Sequence, residues 1–464
     1  MRKFILIWFG QIVSTIGSYM SWFALTLWVW ELTGSATALA LVDFFSLLPR
    51  IFISIFAGII VDRTNRKHLM MLGDVIAAIS TLAILILHLS GSLAIWHLYL
   101  AASINGGFGQ IQQLAYSTSI TLLVSPQNYT RANSMNSAVH YGSNIIAPAI
   151  AGVLFPIIGL SGILPIDLAT FGVAIATLIW IRIPQPTQRQ EVQVLKNTAS
   201  YETGSAGEKF IGNTEDVPLV PQSPSRLVTK EGKISKLTVL WSEVTYGIHY
   251  IWQRNSLRTL LLVTALFWFA HDLGVVSRAM ILARSNNNSQ VLGAISSAAG
   301  IGGVTGAIIL SAWGGISSRV NGMLLGFMGA GIAKTIFGLG QSLTIWLPAQ
   351  FCSSLNFPLL RSSETALWMK AIPPKIQGRI FAANSLVLES VRAIAILIAG
   401  PLSARFTELA MQSQTIISSL FASVFGSGVG AGMALLYVIS AISMFTVGAV
   451  GFKLPQLRWL EKTS

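Results

Sequence analysis

Charge is what this sequence has least of. Asp, Glu, Lys and Arg make up 10% of its 464 residues, while hydrophobic residues make up 53%. A soluble domain carries about 25% charge because its surface must face water, so most of this surface is not expected to face water. Cysteine is nearly absent as well. Cys352 stands alone, which excludes a framework of intrachain disulfides. Six scattered histidines and one cysteine supply no metal-ligand set with the usual spacing. No Gly-x-Ser-x-Gly elbow of a hydrolytic triad occurs. Gly329 to Thr335 has the glycines of a phosphate loop but lacks an adjacent Gly-Lys pair and follows no strand. An enzyme is therefore not expected, nor is a cofactor or a bound metal.

Acidic residues number 17 against 30 basic ones, a formal net charge of +13. That balance would suit a nucleic-acid partner, but the basic residues form no single face or tail. They fall in short loops on alternate sides of long apolar runs, the pattern that sets topology in a membrane. Phe4 to Trp30 holds no charged side chain at all, and Leu69 to Leu100 holds one carboxylate and two histidines. Crossing a hydrocarbon layer of about 30 Å needs roughly 20 apolar residues. Spans are expected near 5–30, 36–61, 69–90, 94–123, 137–159, 162–182, 257–283, 290–314, 320–340, 343–369, 381–403 and 428–452. The first run is too long, and lacks the small-residue site, for a cleavable signal. Loops at the odd-numbered span ends carry Glu31, His88 and His97; those on the other side carry Arg63, Arg66, Lys67, Arg131, Arg319, Lys370, Lys375 and Arg379. Both termini then lie in the cytoplasm.

The expected architecture is an all-α membrane protein with twelve transmembrane helices in two six-helix bundles. Residues 1–183 form the first bundle and 257–464 the second. The joining stretch 184–256 begins polar and rich in chain breakers over 184–234 and ends in a helix near 235–255. That helix puts Leu237, Leu240, Val244, Ile248 and Ile251 on one face and is expected at the membrane surface. The two bundles repeat each other: Pro126, Arg131, Asn136 and Ser137 match Pro374, Arg379, Asn384 and Ser385 at one constant offset. Parallel six-span repeats are the mark of a transporter with a midplane site between its halves.

The loop Gly58-Ile-Ile-Val-Asp62-Arg63-Thr-Asn-Arg66-Lys67 resembles the signature loop of the major facilitator superfamily, with Asn65 where a glycine is usual. Asp62, at a helix C-terminus, is unfavourable to the dipole there and needs a partner such as a helix N-terminus of the other bundle. Asp74, one turn into span three, is expected to pair with Arg66. A contact present in one state only is what a gate requires. Leu32-Thr33-Gly34-Ser35-Ala36, Leu48-Pro49-Arg50, Arg131-Ala132-Asn133-Ser134, Trp252-Gln253-Arg254-Asn255 and Gln377-Gly378-Arg379 together resemble the macrolide-efflux and enterobactin-exporter branch. The resemblance implies the major facilitator fold, alternating access and proton-driven export of a small amphipathic molecule by a monomer in the bacterial cytoplasmic membrane. Pro148 and Gly152 in span five stand where exporters have Gly-Pro-x-x-Gly-Gly, with Ala147 and Ala151 replacing two glycines. An importer, or a membrane sensor or scaffold that moves nothing, are the alternatives.

Ionisable groups inside a span are costly and mark function by default; beside the residues weighed below, Asp167, Arg278 and Lys334 are such groups. Asp43, Asp272, Glu364 and Glu389 are the candidates for coupling to protons; Asp43 and Asp272 rank first because neither has an opposite charge three or four residues away. A carboxylate in an apolar cavity can take up and release protons near neutral pH, and His271 beside Asp272 is a second carrier. Arg361 with Glu364, and Arg392 with Glu389, share a helix face and can pair. Arg50 follows Pro49 at mid-membrane and is expected to need a carboxylate from another span. Trp22, Trp28 and Trp30 read as interface anchors, and Phe267, Trp268 and Phe269 as lipid-facing bulk or, alternatively, as lining of a greasy cavity.

Overall fold

The structure is a computed structural model that describes residues 2–125, 128–181, 236–373, 376–412, 424–425 and 429–462. The linker residues 184–234, Pro126 and Pro374 lie outside the described residues, as do the side chains of Asp62 and Arg63 and the surroundings of Gly58. All secondary structure described is helical. The first half comprises α1 (Arg2–Thr33), α2 (Ala36–Arg63), α3 (Arg66–Leu89), α4 (Ile95–Leu123) and the long α5 (Tyr129–Trp180). The second comprises α6 (Lys236–Gln253), α7 (Asn255–Leu273), α8 (Ser277–Arg284), α9 (Ser289–Trp313), α10 (Arg319–Leu339), α11 (Leu343–Leu355), α12 (Phe357–Ala371), α13 (Gln377–Gln412), α14 (Val429–Gly451) and α15 (Pro455–Lys462).

Local chemistry sets the ends of these helices. Asn65 Oδ1 accepts from the Lys67 amide at the start of α3, Asn288 Oδ1 from Gln290 and Val291 at the start of α9, and Ser318 Oγ from Asn321 at the start of α10. Such side chains satisfy amides that an opening helix turn leaves without partners. Two breaks are internal. Gly274–Val276 forms a 3₁₀ turn between α7 and α8, and Asn356 separates α11 from α12. In α5 only Gly159 departs from helical geometry, with φ +62°; glycine takes that conformation without the penalty of a Cβ. The expected spans 137–159 and 162–182 therefore appear as one helical run folded at Gly159.

Among the described residues nine helical stretches are long and apolar enough to cross a membrane. Large apolar side chains such as Ile157, Trp180 and Leu89 stand fully out on their surfaces, an exposure that a hydrocarbon solvent makes favourable. α4 does not qualify, because Asn105, Gln110, Gln112 and Gln113 interrupt its apolar sequence. In the first half α5 packs along α1 and α3, and α4 along α2 and α3; in the second, α10 packs along α11, α12 and α14. The halves meet chiefly along two seams, α5 against α9 and α2 against α13, with lesser contacts of α2 on the Gly274–Val276 turn and α8. The amphipathic α6 lies on α13, with Ile251 fully buried and Ile248 on the open side, so only part of the expected apolar face meets protein.

Candidate functional site

A cavity of about 980 Å³ lies between the halves. From the first half Tyr19, Trp22, Asp43 and Arg50 reach it; from the second come Trp268, His271, Asp272, Arg278, Lys334, Arg361 and Arg392. A second cavity of about 650 Å³ continues past Arg50 to Ser54, Arg379 and Glu389, towards the end of the molecule where α2 finishes and α13 begins.

The opposite end is shut. Trp30 Nε1 donates to Asn287 Oδ1 at 2.7 Å, joining the end of α1 to the turn after α8. Arg278 donates to the Asp43 carboxylate across the halves. Ser289 Oγ donates to the Gly152 carbonyl at 2.9 Å, and Ser297 Oγ to that of Ile145 at 2.8 Å, so α9 is sewn to α5. The backbones touch: a Cβ on Gly293 would lie 2.6 Å from the Pro148 carbonyl oxygen, and one on Gly152 would lie 2.9 Å from that of Ser289. Pro148 and Gly152 thus stand at a contact between halves.

The charged residues singled out in sequence fall into distinct settings. Asp43 and Asp272 have no cation nearby on their own helices, yet tertiary structure gives each one. Asp43 meets Arg278; Asp272 Oδ1 lies 3.1 Å from His271 Nδ1 and 3.8 Å from Arg392 Nε. Arg361 and Glu364 lie 3.9 Å apart, Arg392 and Glu389 3.8 Å. Glu364 is buried and also accepts from Trp268 Nε1 at 3.4 Å, while the Arg361 guanidinium lies 3.7 Å from the centre of the Trp268 ring. The intramembrane charges are therefore spread around the wall rather than gathered at one point.

Three expectations are corrected by the packing. Among the described residues Arg50 meets no carboxylate: its Nε donates to Gln110 Oε1 at 2.9 Å and its Nη2 to Gln113 Oε1 at 3.3 Å. The polar face of α4 thus carries the amides that Arg50 needs. Asp74 likewise accepts from Gln112 Nε2 at 2.6 Å and from Gln11 Nε2 at 3.4 Å, while Arg66 donates to the Thr118 carbonyl at 2.9 Å. Lys67 Nζ reaches the Ile179 carbonyl at 3.0 Å. Arg66 and Lys67 so tie the start of α3 to the last turns of α4 and α5, where cations favour the helix dipole. The aromatic residues also turn inward. Trp22 and Trp268 line the cavity, Trp30 is buried, and Phe267 is fully buried and stacks on Phe327 with ring centres 3.7 Å apart. Interface anchoring and lipid contact do not describe them.

Two further ionisable groups that the sequence places inside spans belong to the picture. Lys334 in α10 is buried on the cavity wall, its Nζ 5.5 Å from the centre of the Tyr437 ring. Its signal in sequence was a lysine inside an apolar run. Asp167 in α5 accepts from Thr81 Oγ1 at 3.2 Å and from Ser18 Oγ at 3.3 Å. Among the described residues no group of three or more His, Cys, Asp and Glu side chains could hold a metal ion.

The family model described as Major Facilitator Superfamily matches residues 7–396. Macrolide efflux protein A of Streptococcus pyogenes is 24% identical over 401 residues, covering 85% of this chain and 88% of that protein. Multidrug efflux pump Tap of Mycolicibacterium fortuitum is 21% identical over 471 residues, covering 99% and 97%. Among solved structures, a bacterial homologue of the human lysosomal transporter Spinster, in an inward-facing and unoccupied conformation, superposes with a TM-score of 0.63 at 14% identity, covering 97% of this chain and 98% of that one.

Proposed function

Because the chain belongs to the major facilitator superfamily, and is thus an integral membrane transporter of a small molecule rather than an enzyme, we propose that it is a proton-coupled exporter of a small amphipathic compound in the bacterial cytoplasmic membrane. In this reading α5 supplies two spans, folded at Gly159, while α7 with α8 and α11 with α12 supply one each. With the remaining long helices, that makes twelve spans in two six-helix bundles, 1–183 and 257–464, joined by 184–256. The basic loops lie in the cytoplasm with both termini. The cavity then opens inward through Arg50 and Glu389, and the seam of Trp30, Asn287, Ser289 and Gly152 seals the outside.

The observation that carries this reading is the central cavity itself: closed at one end by contacts between halves and continued at the other by a second cavity. Alternating access needs a site between two bodies whose sealing contacts can exchange ends. Asp43 and Asp272 are the coupling groups, since both carboxylates line the cavity and each is bound to a cation that a proton would release. The names of the efflux relatives support outward transport. Proton movement in liposomes holding the purified chain tests the proposal. Compound-dependent flux lost in Asp43→Asn or Asp272→Asn, with proton entry as compound leaves, is the expected result. Flux of the opposite sign would make the protein an importer, and coupling intact in both variants would remove the two carboxylates from the mechanism.

A further inference from the structure

Lys334 is the unusual cation of the cavity. It is 7% exposed, and its one described neighbour of note is the face of Tyr437. Asp272 acts on it electrostatically but forms no bond to it, and among the described residues no oxygen accepts from its ammonium group. An ammonium group inside a membrane protein without an acceptor is costly. Arg361 and Arg392 line the same cavity, Arg392 3.8 Å from Asp272, and they keep 56% and 45% of their side chains exposed. Each guanidinium has N–H edges beyond those its neighbours occupy.

Charge on the wall is also one-sided. Arg50, Arg278, Lys334, Arg361 and Arg392 line the cavity against the carboxylates of Asp43 and Asp272. Glu364 sits behind Arg361, tied to Trp268, and Glu389 opens on the second cavity; counting both still leaves the cations one in excess. Both lining carboxylates are already engaged by cations. A cationic ligand would find no free counter-charge, whereas an oxyanion would find Lys334 without an oxygen acceptor among the described residues and two guanidinium groups on the same wall.

We propose that the cavity binds an amphipathic anion, its carboxylate, sulfonate or phosphate held by Lys334, Arg361 and Arg392 and its apolar body laid against Trp22 and Trp268. This rests on the transporter reading but names the substrate class within it. The same oxyanion chemistry is offered by a soluble amphipath and by an anionic lipid headgroup.

Binding to the purified full chain in phosphatidylcholine nanodiscs tests the idea, by tryptophan quenching with two dyes that share a xanthene core and differ in sign, carboxyfluorescein and rhodamine 6G. The anionic dye should bind more tightly. Lys334→Gln should weaken it by about 10- to 100-fold, the worth of charged hydrogen bonds, while Lys334→Arg retains it. Tighter binding of rhodamine 6G, or unchanged carboxyfluorescein affinity in Lys334→Gln, overturns the proposal. If Lys334→Gln does not fold, Arg361→Gln at the exposed wall gives the same reading. Competition by added phosphatidylglycerol assigns the oxyanion to a lipid headgroup, and its absence to a soluble amphipath; either keeps the site. Anion binding without any liposome transport would sink the transporter reading and leave the site standing.

Discussion

The Ser289 hydroxyl donates to the Gly152 carbonyl at 2.9 Å, the one carbonyl in that stretch whose helical donor would be residue 156, which is Pro156. Proline has no N–H to offer. A serine from the opposite half therefore replaces the bond that the helix forgoes, and it does so from a buried position. Closure of this end thus satisfies the carbonyl that Pro156 leaves open in α5.

Removing that hydroxyl should loosen the closed end. Ser289→Ala leaves a buried carbonyl unsatisfied, a cost of about 1–3 kcal/mol. Cys352 is the only cysteine, so a Cys352→Ser background with a reporter cysteine at Ser35 reads the opening. Labelling from the closed side should rise in Ser289→Ala; unchanged labelling and unchanged Tm would mean the bond contributes nothing to closure.

Gly293→Ala probes the same seam by crowding. The new Cβ would sit 2.6 Å from the Pro148 carbonyl oxygen, backbone against backbone, so α9 must move off α5. The same reporter should show opening of the closed end, with transport falling in step. Full activity and unchanged labelling would show that the two helices yield there at no cost.

Asp43 and Arg278 make the only charge contact between halves that reaches the cavity wall among the described residues. Asp43→Asn and Arg278→Gln should each lower thermal stability, and the double variant should recover part of the loss. A coupling of about 0.5–3 kcal/mol is the range for contacting residues. Additive losses would mean that the pair is not formed in the resting protein.

Asp74 is held by amides of Gln11 and Gln112, so its role should be separable from its charge. Asp74→Asn can still pair with both amides after they rotate and should keep its Tm nearly unchanged. Asp74→Leu strands two half-buried amide groups and should cost up to about 1–3 kcal/mol for each left unpaired. A large loss in Asp74→Asn would show instead that the negative charge is needed.

Glu461 in α15 accepts from the Val320 amide and the Ser318 hydroxyl, each at 2.8 Å, at the positive end of α10. Glu461→Ala should lower stability by about 0.5–2 kcal/mol, as for other lost helix caps. Transport by the surviving folded protein should be unaffected, because the residue is not part of the cavity lining.

Much was legible in the sequence because the membrane imposes few solutions. Apolar runs of spanning length, loops basic on alternate sides and the loop from Gly58 to Lys67 led to the superfamily that the match over residues 7–396 then gave. The boundaries of α3, α9 and α10 lay near their capping residues for the same local reason. Charge partners were legible only when they shared a helix turn, as for Arg361 with Glu364 and Arg392 with Glu389.

Partners from other helices were another matter. Spacing cannot tell that Asp43 faces Arg278, 235 residues away, nor that Arg50 and Asp74 draw on amides of α4 instead of opposite charges. Nor could it turn Trp30 and Phe267 inward, since an aromatic side chain suits lipid, interface and protein interior alike. The sequence by itself determined a helical chain built for a hydrocarbon solvent, because that solvent forces every backbone bond to be made within a helix. Only the tertiary structure decided which faces of those helices meet. That choice depends on contacts between residues hundreds of positions apart, and it sets Lys334, Arg361 and Arg392 on the wall of one cavity with Asp272.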